Sequence, residues 1–167
     1  MAQNDDTPWL APDELRDWKW LMALLETLPS ALDAQLKRDA GLNTFEYLVL
    51  AGLSEAPDRA LPLSLLATFA QGSLSRLSHA VSRLEEQGWV VRRPTHEAGR
   101  RSEAALTEAG WRKVQQAAPG HVREVRRLVI DTLTPDQVRV LGASARKVVA
   151  TIDPELARAL ANGPRPV

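Results

Sequence analysis

Residues 66–107, LATFAQGSLSRLSHAVSRLEEQGWVVRRPTHEAGRRSEAALT, decide the fold. A short apolar helix over 63–70 runs into Gln71-Gly72, a turn, and then Ser73, whose hydroxyl is suited to accept from the free amides of a following helix. That helix, over 73–87, repeats Leu74, Leu77, Val81 and Leu84 at helical spacing, which predicts one buried face. Ser75, Arg76, Ser78, His79, Ser82 and Arg83 are left pointing elsewhere. Gly88 stands where a left-handed residue ends a helix. Trp89 to Arg93 is strand-like, Pro94 to Arg101 is a polar loop, and Glu103 to Leu106 is a returning strand. A helix-turn-helix followed by such a hairpin is a winged helix. Short hydroxyls and long donors on the second helix are the groups that reach base edges and phosphates in a major groove.

Working outward, Ala11-Pro12-Asp13-Glu14 opens a helix, with Pro pre-set for the first turn and acids at the positive end of the dipole. Leu15, Trp18, Leu21, Met22, Leu25, Leu28, Leu32 and Leu36 continue it to about Asp39, and Pro29 predicts a bend. Gly41 ends it, and Asn43 with Glu46 forms a capping box for a second helix to about Glu55. Pro57 to Pro62 reads as a loop. On the other side, Thr107 caps a helix that Pro119-Gly120 is expected to break or kink before it resumes to Thr132. Thr134-Pro135-Asp136-Gln137 then starts a last helix carrying Val138, Leu141, Ala145, Val148 and Ile152.

The expected fold class is therefore mainly α (α+β), a winged helix-turn-helix flanked by a helical region from both chain ends. The organisation reads as a disordered arm over 1–10, a long flanking helix over 11–40 and a winged helix over 41–107, its wing at 89–107. C-terminal flanking helices over 108–160 and a Gly/Pro-rich tail over 161–167 complete it. The flanking apolar stripes are too long to serve a small domain alone, which points to burial against each other or a second copy.

Charge and composition narrow the function. The chain of 167 residues has 21 basic and 21 acidic side chains, so its formal charge is zero. The distribution matters more than the sum. Acids gather near the start, at Asp5, Asp6, Asp13, Glu14 and Asp17, while Arg76, Arg83, Arg92, Arg93, Arg100 and Arg101 gather on the winged helix. No cysteine is present, which excludes thiol redox sensing, disulfides and thiolate metal sites. His79, His96 and His121 fall in three different elements with no ligand spacing, so no metal or cofactor is expected. No nucleophile elbow, phosphate loop or metal helix occurs, and no catalytic residue is assigned. No apolar run approaches the roughly 18 residues of a membrane span, and no signal peptide opens the chain, so a cytoplasmic, non-membrane protein is expected.

From Trp18 to Ile152 the chain resembles the multiple-antibiotic-resistance regulator (MarR) family of bacterial transcription factors. The resemblance is carried by Gly41-Leu42, Tyr47, Leu50, Leu66-Ala67, Ser75-Arg76-Leu77, the run Ser82 to Val90, Arg100, and Leu106-Thr107-Glu108-Ala109-Gly110. One position departs: where the family has Asp-x-Arg in the wing, this chain has Ala98-Gly99-Arg100, with Glu97 one residue earlier as the alternative partner for the arginine. The resemblance implies a homodimer that binds double-stranded DNA at a pseudo-palindromic operator, a repressor released by a small aromatic or phenolic effector. The effector would sit between the dimer helices and the winged domain.

The candidate DNA contacts are Ser73, Ser75, Arg76, Ser78, His79, Arg83, Arg92, Arg100 and Arg101. Arg76 and His79 are read as base-edge donors, and Arg100 and Arg101 as wing-tip groups. Of Arg92 and Arg93, one faces phosphate and one is solvated. Arg83 either reaches a phosphate or pairs with Glu85 or Glu86 on its own helix. Trp18, Leu21 and Met22 either line the effector cleft or belong to plain core, while Trp89 and Trp111 read as packing at the wing and helix bases. Two other readings stay open: a constitutive DNA-binding protein without a ligand, and a winged helix used for protein–protein contact.

Overall fold

The computed structural model describes residues 7–94 and 102–162. Seven helices and three strands follow in the order α1 (Pro12–Ala40), α2 (Thr44–Glu55), β1 (Ala60–Pro62), α3 (Leu63–Phe69), α4 (Leu74–Glu86), β2 (Val90–Pro94), β3 (Ser102–Leu106), α5 (Glu108–Val125), α6 (Pro135–Ile152) and α7 (Pro154–Asn162).

The helix ends carry the chemistry that sets them. Gly41 closes α1 at φ +64°. The Asn43 side chain accepts from the Glu46 amide at 2.9 Å while Glu46 Oε2 accepts from the Asn43 amide at 3.1 Å, so the box satisfies two free donors at the start of α2. Asp33 of α1 adds a third acceptor, taking the Thr44 amide at 2.8 Å, and this locks the α1–α2 corner. Its carboxyl is held below the usual range by the hydrogen bond from Lys37, then by the Thr44 amide.

Three expectations need correction. Pro57 to Pro62 is not only a loop: Pro57–Arg59 is a 3₁₀ turn, and β1 pairs antiparallel with β3, so the sheet has the order β1-β3-β2. Three residues ending in proline give no alternation to read, and only the pairing partner makes them a strand. Pro119-Gly120 does not break its helix: α5 runs to Val125, and the irregularity is a π-helical turn at Arg126–Ile130, while Pro29 lies within the continuous α1. The helix from Pro135 is not the last. Asp153 Oδ1 accepts from the amides of Glu155 and Leu156 at 3.1 and 2.9 Å and caps α7, with Pro154 as its first residue.

The core lies where α2, α4, β3 and the end of α1 meet the first half of α5. Leu36, Leu42, Val49, Leu50, Leu53, Leu66, Leu77, Val81, Leu84 and Val90 are fully buried in it. Thr107 ties the wing base to α5. Thr107 donates its hydroxyl to Gly88 O at 2.7 Å and its amide to Trp89 O at 3.0 Å, and its hydroxyl oxygen accepts from the Gly110 amide. Gly110 has to be glycine, since a Cβ there would lie 2.1 Å from Trp89 O. Trp89 and Trp111 pack against the core from its edge, under Lys113 and Arg59 respectively. Among the described residues no helix is long and apolar enough to cross a membrane.

A polar seam joins α1, α2 and α5. Gln35, 2% exposed, donates to Asp39 Oδ2 at 3.0 Å and accepts at Oε1 from His121 Nδ1 at 3.3 Å. The His121 ring rests on Tyr47, with centroids 4.6 Å apart. Burial pushes the His121 imidazole below its usual pKa. The unfolded chain therefore takes up the proton first, and neutral His121 contributes stability that is complete above the unfolded pKa and lost as pH falls toward the folded one. The expected outcome is a urea midpoint that drops between about pH 7 and about pH 5. His121→Gln should flatten that part of the profile and leave the carboxylate-driven loss at lower pH, where Asp33 and Asp39 protonate.

Candidate nucleic-acid interface

Helix α4 begins at Ser73, whose hydroxyl accepts from the Arg76 amide at 3.2 Å. Gln71 makes the preceding turn at φ +54°. Gly72 serves a different end, because a Cβ there would lie 2.4 Å from the Phe45 ring that fills the space beneath the turn. The helix buries Leu77, Ala80, Val81 and Leu84. Leu74 is not part of that face; at the helix's first position it is 59% exposed, and Ala80 completes the stripe instead.

Ser73, Ser75, Arg76, Ser78, His79 and Arg83 are exposed. They lie along one amphipathic helix, so burying the apolar stripe leaves these donors on the accessible side. The two arginines are not free rods. The Arg76 guanidinium stacks over the Phe45 ring at 4.2 Å, and Arg83 Nε binds Glu46 Oε1 of α2 at 2.7 Å. Neither Glu85 nor Glu86 is the partner of Arg83. Glu46 is not within helical reach of Arg83 in sequence, and only the packing of α2 on α4 joins them.

Glu85 is engaged by Arg92. The Arg92 amide donates to Glu85 Oε1 at 2.9 Å and its guanidinium pairs with Glu85 Oε2. The same guanidinium donates to Ser78 O at 2.9 Å and Ser82 Oγ at 3.1 Å. Arg92 thus pins β2 to α4, where the sequence places a wing-base arginine facing phosphate or solvent. Arg93 is exposed. Arg100 and Arg101, with His96, Glu97 and Ala98, lie outside the described residues.

Trp18, Leu21 and Met22 are on α1, 48%, 40% and 41% exposed, so in the single chain they are not core. A groove on the same helix is lined by Leu15, Lys19, Trp20 and Ala23. Among the described residues no group of three His, Asp or Glu side chains is placed to hold a metal ion. Sequence reasoning missed Phe45 and Glu46 as neighbours of the interface; the sole signal was their position at the start of α2. It also missed the α6–α7 corner, whose Asp153 and Leu156 border a groove against Thr68, Gln71 and Ser73 at the helix-turn-helix.

A helix-turn-helix, a three-stranded wing and long flanking helices make this a winged-helix protein. No protein-family model and no curated protein matches the chain. Solved structures do. It is 41% identical to Sco3205 from Streptomyces coelicolor, a MarR family transcriptional regulator whose crystal structure is in complex with DNA, with a TM-score of 0.86 over 91% of this chain and 95% of that one. It is 32% identical to AbsC, a MarR family transcriptional regulator of the same organism, with a TM-score of 0.83 over 89% of this chain and all of that one. The chain belongs to the MarR family of transcriptional regulators. NadR, solved in complex with 4-hydroxyphenylacetate, shares the fold at 20% identity and a TM-score of 0.63.

The Arg92 contacts generate a stability prediction. Arg92→Ala should destabilise the protein by about 1 kcal/mol, the value of a partly exposed charge-assisted cluster discounted for solvent screening. Exposed Arg93→Ala should stay within about 0.5 kcal/mol of wild type. Chemical denaturation of the two variants measures both, and equal midpoints would contradict the pinning role.

Proposed function

We propose that the protein is a homodimeric DNA-binding transcriptional repressor, not an enzyme, that reads a pseudo-palindromic operator with α4 in the major groove. The observation that carries this reading is the outward face of α4, where Ser75, Arg76, Ser78 and His79 stand exposed beside a fully buried apolar stripe. The DNA complex of the 41% identical Sco3205 supports it. Arg76 and His79 are assigned to base edges, where an arginine can hold guanine O6 and N7 together. Ser73, Ser75, Ser78 and Arg83 are assigned to phosphates flanking them. Arg100 and Arg101 in the segment joining β2 and β3 are assigned to the minor groove or backbone, where negative potential concentrates. Arg92 contributes by holding the wing against α4.

The dimer half of the reading rests on unburied apolar surface. Every described residue before Leu28 is exposed, including Trp9, Leu10, Trp18, Trp20, Leu21, Leu24 and Leu25. The eighteen-residue α6 buries none of its own side chains, with Val140, Leu141, Val148 and Ile152 open. Helices patterned this way are stable when covered, and a second copy offers the matching surfaces. Two α4 helices related by a two-fold would then meet successive major grooves roughly 10 base pairs apart. A small aromatic or phenolic effector is assigned to the cleft beside Trp18, Leu21 and Met22, completed by the partner, where binding changes the spacing of the two α4 helices. The ligand's differential affinity for the two spacings sets the loss of DNA affinity.

Gel-shift titrations with duplexes selected from a randomised pool test the DNA face. Arg76→Ala is expected to lose discrimination at particular base pairs, at about 1–3 kcal/mol each. Arg100→Ala should weaken selected and unrelated duplexes alike and reduce the salt slope by about one contact. Wild-type behaviour of both variants at moderate salt would place the interface elsewhere.

Oligomeric state tests the other half. Leu21 and Leu25 are one turn apart and exposed in the single chain, so Leu21→Glu with Leu25→Glu leaves the winged helix folded. Sedimentation should give a dimer for wild type and a monomer of near-equal helicity for the variant, with selected-duplex affinity lowered. A wild-type monomer would overturn this architecture.

A further inference from the structure

The carboxylate of Glu46 stands where the cap of α2 meets α4. It is mostly covered, with its side chain 12% exposed, and its two oxygens do separate work. Oε2 accepts the Asn43 amide and closes the cap of α2, while Oε1 accepts Nε of Arg83 from the recognition helix. Arg83 is 54% exposed, and no other hydrogen bond to its guanidinium occurs among the described residues. With Nε engaged, the edge formed by the two terminal nitrogens is available as a planar fork, the geometry that binds a phosphate with two parallel bonds.

We propose that Glu46 is a positioning residue for DNA binding, which holds Arg83 in a preset orientation for a phosphate of the operator backbone. This rests on the DNA-binding reading above. An unrestrained arginine carries large rotamer entropy that must be lost on contact. A carboxylate anchored in its own capping box removes part of that loss before DNA arrives, because Glu46 cannot follow Arg83 without breaking the start of α2. Phe45, the neighbouring residue, does the same for Arg76 through its ring face. Arg76 and Arg83 are two helical turns apart on α4, so one turn of α2 serves both ends of the reading helix. The α1–α2 corner continues the support: Asp33 of α1 binds the Thr44 amide one residue before Phe45, and Lys37 pairs with Asp33 at 2.7 Å.

The test uses full-length protein and a duplex that wild type selects from a randomised pool, with an unrelated duplex of equal length. Glu46→Gln is the informative change, since glutamine at the third helical position still accepts the Asn43 amide but removes the charge that holds Arg83. Affinity for the selected duplex is expected to fall about 2- to 10-fold, the range for one long side chain that must be ordered on binding. The melting temperature should stay near wild type. In an Arg83→Ala background, Glu46→Gln should produce no further loss, and Arg83→Ala alone should lower the salt slope by about one phosphate contact. An equal loss in both backgrounds would show that Glu46 acts through α2 and overturn the proposal. So would an unchanged or tighter affinity for Glu46→Gln, or an Arg83→Ala variant that binds like wild type. Wild-type protein that selects no duplex would instead overturn the DNA-binding reading itself.

Discussion

The packing of α4 on α2 is the contact on which the rest of this structure depends. Leu77, Ala80, Val81 and Leu84 leave no freedom for α4 to rotate, because each is 1% exposed or less against a core that includes Phe45, Val49, Leu50 and Leu53. Truncating one such leucine costs roughly 2–5 kcal/mol, more than any exposed ion pair in the molecule. Rotation fixed on the apolar side fixes the polar side as well. The donors of α4 are accessible because the buried stripe admits one orientation.

Polar contacts then refine what packing sets. Glu46 and Phe45 hold the arginines of α4 from one side, and Arg92 holds β2 against it from the other. These contacts are partly exposed and individually modest, so their value lies in geometry more than in stability. Thr107 performs a similar service at the wing base, where one side chain satisfies Gly88 O and the first turn of α5. Direct contacts therefore join α4, strands β2 and β3, and α5, and α1 joins them at the Asp33–Thr44 corner.

Much of this was legible in residues 41–107. The capping box at Asn43 and Glu46, the cap at Ser73, the left-handed Gly41 and Gly88 and the cap at Thr107 stand where local chemistry placed them. Such signals are read within four residues, and the backbone groups they satisfy lie within the same span. The failures share one cause. β1 exists through β3, some forty residues away; Leu74 is exposed while Ala80 packs into the core; and α5 continues through Pro119 while packing along α1. None of these is a local property.

The sequence by itself determined the order of the first six helices and of the β2–β3 hairpin, most helix boundaries, the winged-helix class and the absence of thiol chemistry, because periodicity, capping and composition act over short range. Only the tertiary structure decided which arginines are already engaged. Arg83, read as reaching a phosphate or pairing on its own helix, has Nε on Glu46; Arg92, read as facing phosphate or solvent, is held by Glu85, Ser78 and Ser82; and Arg76 lies over Phe45. A long cationic side chain takes the best acceptor or ring face within reach, and which groups are within reach is set by the packing of distant segments.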